Sequence, residues 1–597
     1  MQIAESLLDI YRKRGERSLP LERVYRQMFN PELYLQAYGK IYRNAGAMTK
    51  GSTDETVDGM SLGRIQRIID LLRREEYRWT PVRRVEIPKP KGGTRPLGIP
   101  TWGDKLLQEV LRQLLEAYYE PRFSKHSHGF RPQRGPHTAL TEIHRNWTGT
   151  VWFIEGDISK CFDSFDHDML LSILRRNIKD ERLIRLIGHL LKAGYMEDWR
   201  YNDTLSGTPQ GGIISPLLSN IYLNELDDFV ENTLIPAYTK GSKRHKDREY
   251  ARVHSRLEFA KKRGDWKNVV ELRRIRRHLP SVDPFDPTYR RLRYVRYADD
   301  FLLGFAGTKK EAEEIRDKLS AFLGRKLKLR LSSSKTLITH AVDGKANFLG
   351  YEVTVTRCSD KLTNGSRMTN GGICFMMPSC VVENIESANR RKGKVVHNSA
   401  LLHESDYTIV QRYQAVFRGI YNYFCLASNI APRMGRIRWT LEQSLVKTLA
   451  GKFRTKVSAI YKRYRSISPD GLKQFQVVIK RDGKKPLVAT FAGFHINRVH
   501  KAAAMSDFSI RRAWFKFSNP RSEVVTRLLS DKCEVCGKRG DMEVHHIRKL
   551  SDIDRPGRRP RTDSERIMAA RRRKTLVVCV DCHHEIHAGQ YDGPSFR

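Results

Sequence analysis

Residues 291–305 read Arg-Leu-Arg-Tyr-Val-Arg-Tyr-Ala-Asp-Asp-Phe-Leu-Leu-Gly-Phe, with the adjacent carboxylates Asp299 and Asp300 between two apolar runs. Apolar and aromatic runs on either side of a short polar break predict a strand, a tight turn and a second strand. Like charges this close raise each other's pKa, so a folded protein usually keeps such a pair where a cation neutralises it. Taken alone, the pair could be an ordinary solvated turn. For a cation site of this kind, magnesium is the natural ion.

A third carboxylate comes from Val151-Trp-Phe-Ile-Glu-Gly-Asp157, which reads as an apolar strand that ends in an acid. Three acids on neighbouring strands suffice to hold two magnesium ions about 4 Å apart, the arrangement that nucleotidyl transfer needs. Asp163 and Asp166 compete for the same role in the sequence. They fit better as residues that orient or cap the following helix.

The charge of the chain points to a polyanionic partner. Its 597 residues allow about three to five domains, and 109 Lys and Arg against 67 Asp and Glu leave a net charge of +42. Nucleic acid fits best, because a phosphate backbone rewards distributed cations through counterion release. No apolar run reaches the roughly 18 residues of a spanning helix, and the N-terminus does not resemble a signal peptide. We therefore expect no membrane partner and an intracellular protein, most simply in a bacterial cytoplasm.

Four of the nine cysteines form two pairs with metal-ligand spacing, Cys533-x-x-Cys536 and Cys579-x-x-Cys582. Such pairs in a reducing compartment predict structural zinc rather than disulfides. The pairs are separated by 42 residues, more than the usual 15 to 20 or so of a simple zinc ribbon. The interval must therefore contain further structure.

Five motifs in a fixed order resemble the reverse transcriptase of group II intron-encoded proteins. They are Ile87-Pro-Lys89-Pro-Lys-Gly-Gly-Thr-Arg95-Pro-Leu-Gly-Ile-Pro-Thr101, Ser127-His-Gly-Phe-Arg-Pro132, Asp157 to Asp166, Gly207-Thr-Pro-Gln210-Gly-Gly-Ile-Ile-Ser-Pro-Leu217 and Tyr297-Ala-Asp-Asp300. The region from 400 to 500 resembles the thumb and maturase domain of that family, and the C-terminus resembles its HNH endonuclease. The resemblance covers nearly the whole chain.

The resemblance implies an α+β multidomain protein with a right-hand polymerase fold. An N-terminal extension at 1–80 would precede fingers and palm at 81–360, which contain a basic helical insertion at about 234–290. A helical thumb and maturase domain at 361–500, a basic DNA-binding segment at 501–530 and a zinc-stapled ββα-metal HNH module at 531–597 would follow.

The resemblance also implies roles for individual polymerase residues. Asp157, Asp299 and Asp300 match the Mg²⁺ ligands, and Lys89 and Arg95 match the residues that hold the incoming triphosphate, a suitable use of basic side chains against phosphate oxygens. Phe162 matches the aromatic residue that favours deoxynucleotides, and Gln210 lies in the turn beneath the nucleotide. Lys335 matches a lysine that would protonate the leaving pyrophosphate, although a surface lysine is the alternative for it.

The C-terminal histidines resemble the ββα-metal nucleases, in which His545, His583 and His587 would ligate a divalent ion, Mg²⁺ being the simplest choice, and His546 would deprotonate water. Since His583 and His587 lie four residues apart, they share one helix face. Completing the zinc site is an alternative role for these histidines, but four thiolates already fill a tetrahedral shell. One departure concerns Lys574, where many such nucleases have an Asn that orients the general base.

The implied function is intron mobility and splicing support. The protein would bind its group II intron RNA, nick one strand of target DNA and extend the new 3′-hydroxyl with dNTPs by reverse transcription. Two other functions are weighed against it: a reverse transcriptase of a defence or diversification system, and a mainly non-catalytic RNA-binding splicing cofactor. The thumb pattern and the HNH module oppose the first, and the intact carboxylates oppose the second. A monomer and a homodimer remain equally open.

Overall fold

The computed structural model describes residues 4–499, 523–547, 565, 568 and 574–588, apart from short stretches at 45, 89–91, 198–199, 203–206, 208–210, 284–285, 333–334, 357–361, 364–365, 368–370 and 482. Two of the residues predicted to contact the nucleotide, Lys89 and Gln210, lie outside the described residues, and so does most of the basic segment predicted at 501–530.

The N-terminal region is mainly helical. Its elements are α1 (Ala4–Glu16), β1 (Leu21–Glu22), α2 (Val24–Gln27), α3 (Pro31–Ile41), β2 (Met60–Ser61) and α4 (Leu62–Arg73). Helix α4 begins where the Ser61 hydroxyl accepts a hydrogen bond from the amide of Arg64, which satisfies one amide of the first turn. The apolar face of α4 includes Ile65, Ile69 and Leu72 and belongs to the larger of the two main hydrophobic cores.

The next region mixes helices with short strands. Its elements are β3 (Val82–Pro88), β4 (Thr94–Ile99), α5 (Trp102–Tyr119), α6 (Pro136–Asn146), β5 (Trp152–Asp157), α7 (Cys161–Ser164), α8 (His167–Asn177), β6 (Ile178–Lys179), α9 (Glu181–Leu191), β7 (Tyr195–Glu197), β8 (Arg200–Asn202), α10 (Ser215–Phe229) and α11 (Ile235–Ala237), with a 3₁₀ turn at Glu120–Arg122 and a π-helical turn at Val230–Leu234. The acid that ends β5, Asp157, is where the strand pattern predicts it.

The basic insertion predicted at about 234–290 contains two helices, α12 (Arg248–Lys262) and α13 (Trp266–His278). They contact each other through a small core of their own, formed by Val253, Leu257, Ala260, Val269 and Leu272. The structure therefore has helices in this range, as expected.

The strands of the opening motif follow the insertion. The elements of this part are β9 (Arg291–Tyr297), β10 (Asp300–Ala306), α14 (Lys309–Leu327), β11 (Ile338–His340), β12 (Ala346–Phe348), β13 (Tyr351–Val355), β14 (Leu362–Thr363), β15 (Ser366–Arg367) and β16 (Ile373–Met376). Strands β11, β5, β10 and β9 form one antiparallel sheet in that order. The predicted strand-turn-strand is therefore confirmed, and its partner strand is the one that ends in Asp157.

A buried ion pair supports the turn between β9 and β10. The side chains of Arg296 and Asp227 are both fully buried, and their Nη2 and Oδ2 atoms are 2.6 Å apart. Tyr294 donates a further hydrogen bond to Asp227 at 2.8 Å, and Arg296 donates to the carbonyl of Ala298 at 2.8 Å. The guanidinium thus connects helix α10 to the turn that carries Asp299.

Replacing Asp227 by Ala should strongly destabilise the protein, because it leaves the Arg296 guanidinium buried without its countercharge. Breaking a buried pair from one side typically costs about 3–5 kcal/mol. We expect a lower midpoint for the unfolding transition of the full chain in a denaturant titration. Asp228→Ala, at the exposed neighbouring position, is the matched control and should change stability by less than about 0.5 kcal/mol. Equal effects of the two variants would contradict this account.

The region after residue 376 returns to helices, followed by a hairpin. Its elements are α15 (Ser379–Ala388), β17 (Arg390–Arg391), β18 (Lys394–Val395), a 3₁₀ turn at Ser399–Leu401, α16 (Asp406–Phe424), α17 (Ile430–Phe453), α18 (Val457–Tyr464), β19 (Arg465–Ile467), β20 (Lys473–Arg481) and β21 (Lys484–Ala492). Strands β20 and β21 pair antiparallel and form a hairpin. Helix α16 packs on it, with Phe417 and Phe491 ring centroids 5.5 Å apart.

The C-terminal elements are α19 (Glu523–Leu528), β22 (Met542–His546), β23 (Thr575–Cys579) and α20 (Val580–Ala588). Strand β22 pairs antiparallel with β23 on one side and with β2 of the N-terminal region on the other. The two ends of the chain therefore share one three-stranded sheet, a feature that we did not expect from the sequence. Within the described ranges, we find no helix with both the length and the apolar character needed to span a bilayer.

Candidate metal centres

The hairpin between β9 and β10 brings the three predicted carboxylates to one end of the sheet. Tyr297 pairs with Asp300 across the turn, and on the other side of β10 Asp300 lies directly opposite Asp157. Ala298, at the first turn position, has a φ of 57°, a left-handed conformation that is costly for a residue with a Cβ. Asp299 follows it in the turn, so the third carboxylate is at the same end of the sheet.

Lys335 is also at this end of the sheet, although its segment is distant in sequence. Its Nζ atom donates a hydrogen bond of 2.9 Å to Oδ2 of Asp157. The side chain of Lys335 is otherwise largely exposed. The ammonium group therefore neutralises one of the three carboxylates and lies within reach of a group bound beside them.

The electrostatics of the aspartates favour a bound cation. Burial, together with repulsion from Asp299 and Asp157, raises the pKa of Asp300 to about 7. Burial also raises the pKa of Asp299, and the positive charges of Lys335 and Arg95 offset only part of that rise. A divalent ion would remove this repulsion.

The raised pKa predicts how magnesium binding depends on pH. A proton on Asp300 would compete with a metal bound there, and this competition would end as the pH rises through about 7. The Mg²⁺ concentration for half-maximal primer extension should therefore fall about tenfold between pH 6 and pH 8. Titrations of Mg²⁺ at pH 6, 7 and 8 would measure this. A requirement that does not change with pH would show that Asp300 is not protonated in the metal-free protein.

The structure also describes Arg95, Phe162 and Asp166, which the sequence analysis singles out. Arg95 is on β4 and is close enough for its charge to lower the pKa of Asp299. Phe162 is a half-buried residue of α7, with its ring 6.2 Å from that of Phe130. Asp166 caps α8 by accepting a hydrogen bond from the amide of Met169 at 2.8 Å, as expected for a capping residue.

The four paired cysteines converge on one point beside β23. Their sulfur atoms all lie within 4.8 Å of one another, and the Sγ atoms of Cys536 and Cys579 are 3.7 Å apart. Four thiolates at 2.3 Å from a tetrahedral ion are about 3.8 Å apart. The donor set and its spacing fit a closed structural zinc site formed by Cys533, Cys536, Cys579 and Cys582.

Three of the predicted histidines form a second cluster beside the same sheet. His545 is on β22, whereas His583 and His587 lie one turn apart on α20, with their Nε2 atoms 3.2 Å apart. The carboxylate of Glu543 is hydrogen-bonded to Nδ1 of His583 at 2.6 Å, which leaves Nε2 for a metal. A carboxylate behind a histidine ligand is the usual way in which proteins orient such a ligand.

A fourth group in this cluster was not predicted. Asp58, just before β2, has its Oδ2 atom 2.8 Å from Nε2 of His587, and its Oδ1 atom lies 3.4 Å from Nε2 of His583 and 3.6 Å from Nδ1 of His545. The four ligand atoms lie within 4.8 Å of one another. Asp58 is followed by Gly and preceded by Val in a region with no metal-ligand spacing, so no local signal could have identified it.

The predicted general base, His546, is enclosed by aromatic side chains of the N-terminal region. Its Nε2 atom is 3.0 Å from the hydroxyl of Tyr38, and its ring packs against the edges of Tyr38 and Tyr42. Lys574 lies at the position where an Asn was expected. Its backbone carbonyl accepts a hydrogen bond from the amide of Ile547. Tyr38 is therefore hydrogen-bonded to the imidazole, and Tyr42 packs against it.

The histidines have very different proton affinities. Burial lowers the pKa of His545 to about 4 and that of His546 to about 3. Burial also acts to lower the pKa of His583, but hydrogen bonds to Asp58 and Glu543 outweigh it and raise that pKa to about 9. Burial raises the pKa of Asp58, but its contacts with His583 and His587 hold the pKa well below its usual range. Neutral His545 keeps the lone pair that a metal ligand requires.

Comparisons with known proteins agree with this layout. Residues 87–254 match the reverse transcriptase (RNA-dependent DNA polymerase) family, residues 380–502 match the type II intron maturase family, and residues 533–583 match the AI2M/AI1M-like HNH endonuclease family.

Three relatives illustrate how far the similarity extends. The group II intron-encoded protein LtrA of Lactococcus lactis subsp. cremoris is 37% identical over 587 residues, or 95% of this chain and 96% of that protein. The putative COX1/OXI3 intron 2 protein of Saccharomyces cerevisiae is 32% identical over 96% of this chain and 67% of its own length. Protein YkfC of Escherichia coli is 35% identical over 56% of this chain and 84% of its own length. The chain thus belongs to the group II intron-encoded proteins and joins a reverse transcriptase, an intron maturase and an HNH endonuclease in one polypeptide.

Proposed function

We propose that Asp157, Asp299 and Asp300 hold two Mg²⁺ ions in the active site of this RNA-directed DNA polymerase. The observation that carries the proposal is the ladder that sets Asp300 opposite Asp157 and puts Asp299 in the adjoining turn. Bound magnesium would activate the primer 3′-hydroxyl and stabilise the pyrophosphate leaving group. The raised pKa of Asp300 supports this, because it reflects repulsion that a cation would remove.

In this proposal the sheet formed by β11, β5, β10 and β9 is the palm of a right-hand polymerase. Strands β3 and β4, which pair antiparallel at 82–99, belong to the fingers, and helices α16, α17 and α18 form the thumb. Packing between the thumb and the sheet supports the assignment, because both contribute residues to the second hydrophobic core, including Val295, Phe417 and Leu445. Residues 81–360 and 361–500 are the corresponding proposed domains.

The nucleotide contacts follow from the same arrangement. Arg95 and Lys89 would bind the triphosphate, Arg95 with a fork-shaped donor and Lys89 as a point charge. Phe162 would close the space beside the ribose 2′-position, and Gln210 would support the nucleotide from below. Lys335, whose ammonium group is hydrogen-bonded to Asp157, would give a proton to the departing pyrophosphate.

The proposed nuclease site uses the second histidine cluster. His545, His583 and His587 would hold one divalent ion, which supplies a Lewis acid for the scissile phosphate. His546 would deprotonate the attacking water, and Tyr38 would hold its ring in the orientation that an Asn at position 574 would otherwise set. The four cysteines would bind structural zinc and so fix the end of β23 against the turn that begins at Cys533.

The proposed partners are the intron RNA, the target DNA and dNTPs. The insertion formed by α12 and α13 suits folded RNA, because it combines many basic residues with the largely exposed rings of Trp266 and Phe259. Phosphate contacts from the basic residues and base stacking on the rings are the usual elements of such binding. A chain of this kind serves intron mobility and splicing, rather than acting in a defence or diversification system or as a mainly non-catalytic RNA-binding splicing cofactor.

Target-primed reverse transcription tests the whole proposal. A ribonucleoprotein of the full chain and its intron RNA is incubated with end-labelled target DNA, Mg²⁺ and dNTPs. We expect a nicked strand whose label becomes joined to newly made cDNA. A nick that is never extended, or cDNA that is never joined to the label, would contradict the proposed coupling of the two activities.

A further inference from the structure

The nuclease cluster contains a carboxylate from the opposite end of the chain. Asp58 approaches all three proposed histidine ligands with its two oxygens, at 2.8, 3.4 and 3.6 Å. Its side chain is only 15% exposed, so it is enclosed with the histidines and does not extend into solvent. Burying a carboxylate is costly unless it is paired. An enclosed aspartate in contact with three imidazoles is therefore not expected by chance.

Backbone contacts on both sides hold the segment that carries Asp58. The amide of Gly59 donates to the carbonyl of Val544 at 3.1 Å, and Met60 then pairs with Val544 in the β2–β22 ladder. Gly59 has a φ of 70°, which lets the backbone turn from the carboxylate directly into the strand. The position of Asp58 is therefore set by the sheet and not by a flexible loop.

The Arg64 side chain and the backbone amide of His546 hold the same segment. Arg64, in the first turn of α4, donates hydrogen bonds to the carbonyls of Asp58 at 3.0 Å and Thr56 at 3.3 Å. The amide of His546 donates to Oδ1 of Asp58 at 2.7 Å. One carboxylate oxygen is thus oriented by the backbone of the nuclease, while the other faces His587.

We propose that Asp58 is the fourth protein ligand of the nuclease metal, so that the HNH active site is complete only when its sheet is joined to the N-terminal extension. The inference rests on the proposed function, in which the three histidines hold this metal. A carboxylate beside three imidazoles suits a six-coordinate ion such as Mn²⁺ or Mg²⁺. Four protein ligands leave two positions, enough for a phosphate oxygen of DNA and a water molecule.

A metal at this site would link the nuclease to the N-terminal extension of the polymerase. A metal bound by Asp58 and the three histidines would bridge residues about 490–530 positions apart in sequence, and binding free energy would stabilise the joined state. Loading the metal should therefore raise the temperature at which the β2–β22 contact opens. The opposite arrangement is a plug, in which Asp58 stands where the DNA phosphate must bind and has to leave before nicking.

Mn²⁺ binding measured by electron paramagnetic resonance tests this directly. The full chain is used with zinc loaded at the thiolates and with Asp299→Asn as a common background, so that binding at the polymerase site is reduced. Asp58→Asn keeps the size of the side chain and removes its charge. We expect it to weaken Mn²⁺ binding at the histidine site at least about tenfold and to abolish the stabilisation that Mn²⁺ gives in thermal unfolding.

Two matched variants in the same background separate the possible failures. Asp54→Asn changes an exposed aspartate of the same segment, paired with Lys50, and should leave Mn²⁺ affinity unchanged. His583→Ala should lose the site altogether. Loss with His583→Ala but normal Mn²⁺ affinity with Asp58→Asn would overturn the fourth ligand and leave the proposed nuclease intact. Normal affinity in both would overturn the histidine site itself.

Activity distinguishes a ligand from a plug. In the chain with an otherwise native sequence, Asp58→Asn should lower the rate of DNA nicking at subsaturating Mn²⁺, while reverse transcription from a supplied primer shows that the rest of the protein is folded. Faster nicking with undiminished Mn²⁺ affinity would overturn the proposal in favour of a plug.

Discussion

Asp299→Asn should abolish primer extension, with a loss of at least about a thousandfold, equivalent to roughly 4 kcal/mol of transition-state stabilisation. The amide keeps the size of the side chain but cannot supply the negative charge that a magnesium ligand needs. Repulsion from Asp299 is one cause of the raised pKa of Asp300, so the variant should also lower that pKa. Extension of a labelled primer on an RNA template measures the loss.

Two controls make the Asp299→Asn result specific. Binding of intron RNA should stay within about twofold of the native protein, because one charge among the 109 basic and 67 acidic residues hardly alters the electrostatic attraction. Asp163→Asn, at an exposed position in α7, should retain extension. If Asp163→Asn were inactive and Asp299→Asn active, the metal would be held by the alternative acids.

His546→Ala should stop DNA nicking and leave cDNA synthesis from a supplied primer unchanged. Removing a general base typically costs about 10²–10⁴-fold in rate, and the carboxylates of the polymerase belong to a different sheet. A strand-specific nicking assay and a primer-extension assay on the same preparation measure the two activities.

The environment of His546 calls for a second variant. The imidazole is only 3% exposed and contacts Tyr38 and Tyr42, so Ala leaves a cavity between the nuclease and the N-terminal region. His546→Gln fills more of that space and should show the same loss of nicking with a smaller change in thermal unfolding. Loss of cDNA synthesis in the Gln variant, with an unchanged unfolding transition, would mean that the two activities share this residue.

Local pattern was sufficient for the polymerase cluster. Asp299 and Asp300 are neighbours in the chain, and apolar runs on both sides predict a hairpin that presents them at its turn. Asp157 ends a strand of the same kind, and the structure pairs that strand with β10. The buried pair of Arg296 and Asp227, which supports the turn, carries no such pattern, because a burial partner 69 residues away leaves no mark in the local sequence.

The same contrast holds in the nuclease. Cysteine spacing predicted the thiolate cluster, and the four-residue separation of His583 and His587 predicted a shared helix face, because a metal site built within short segments needs fixed spacing. Tyr38 and Asp58 were missed, since each approaches the histidines from about 500 residues away in the chain. Nothing in their neighbours distinguishes them from ordinary core and turn residues.

Functional residues that lie close together in the sequence were therefore predictable from it. These are the paired aspartates, the paired cysteines and the helical histidines, and the order of the polymerase motifs was predictable as well. The joining of β2 to β22, the enclosure of His546 and the entry of Asp58 among the histidines depended on tertiary structure. The physical reason is that periodicity and spacing report which side chains share a strand or helix face, whereas contact between distant segments is decided by how whole apolar surfaces pack together.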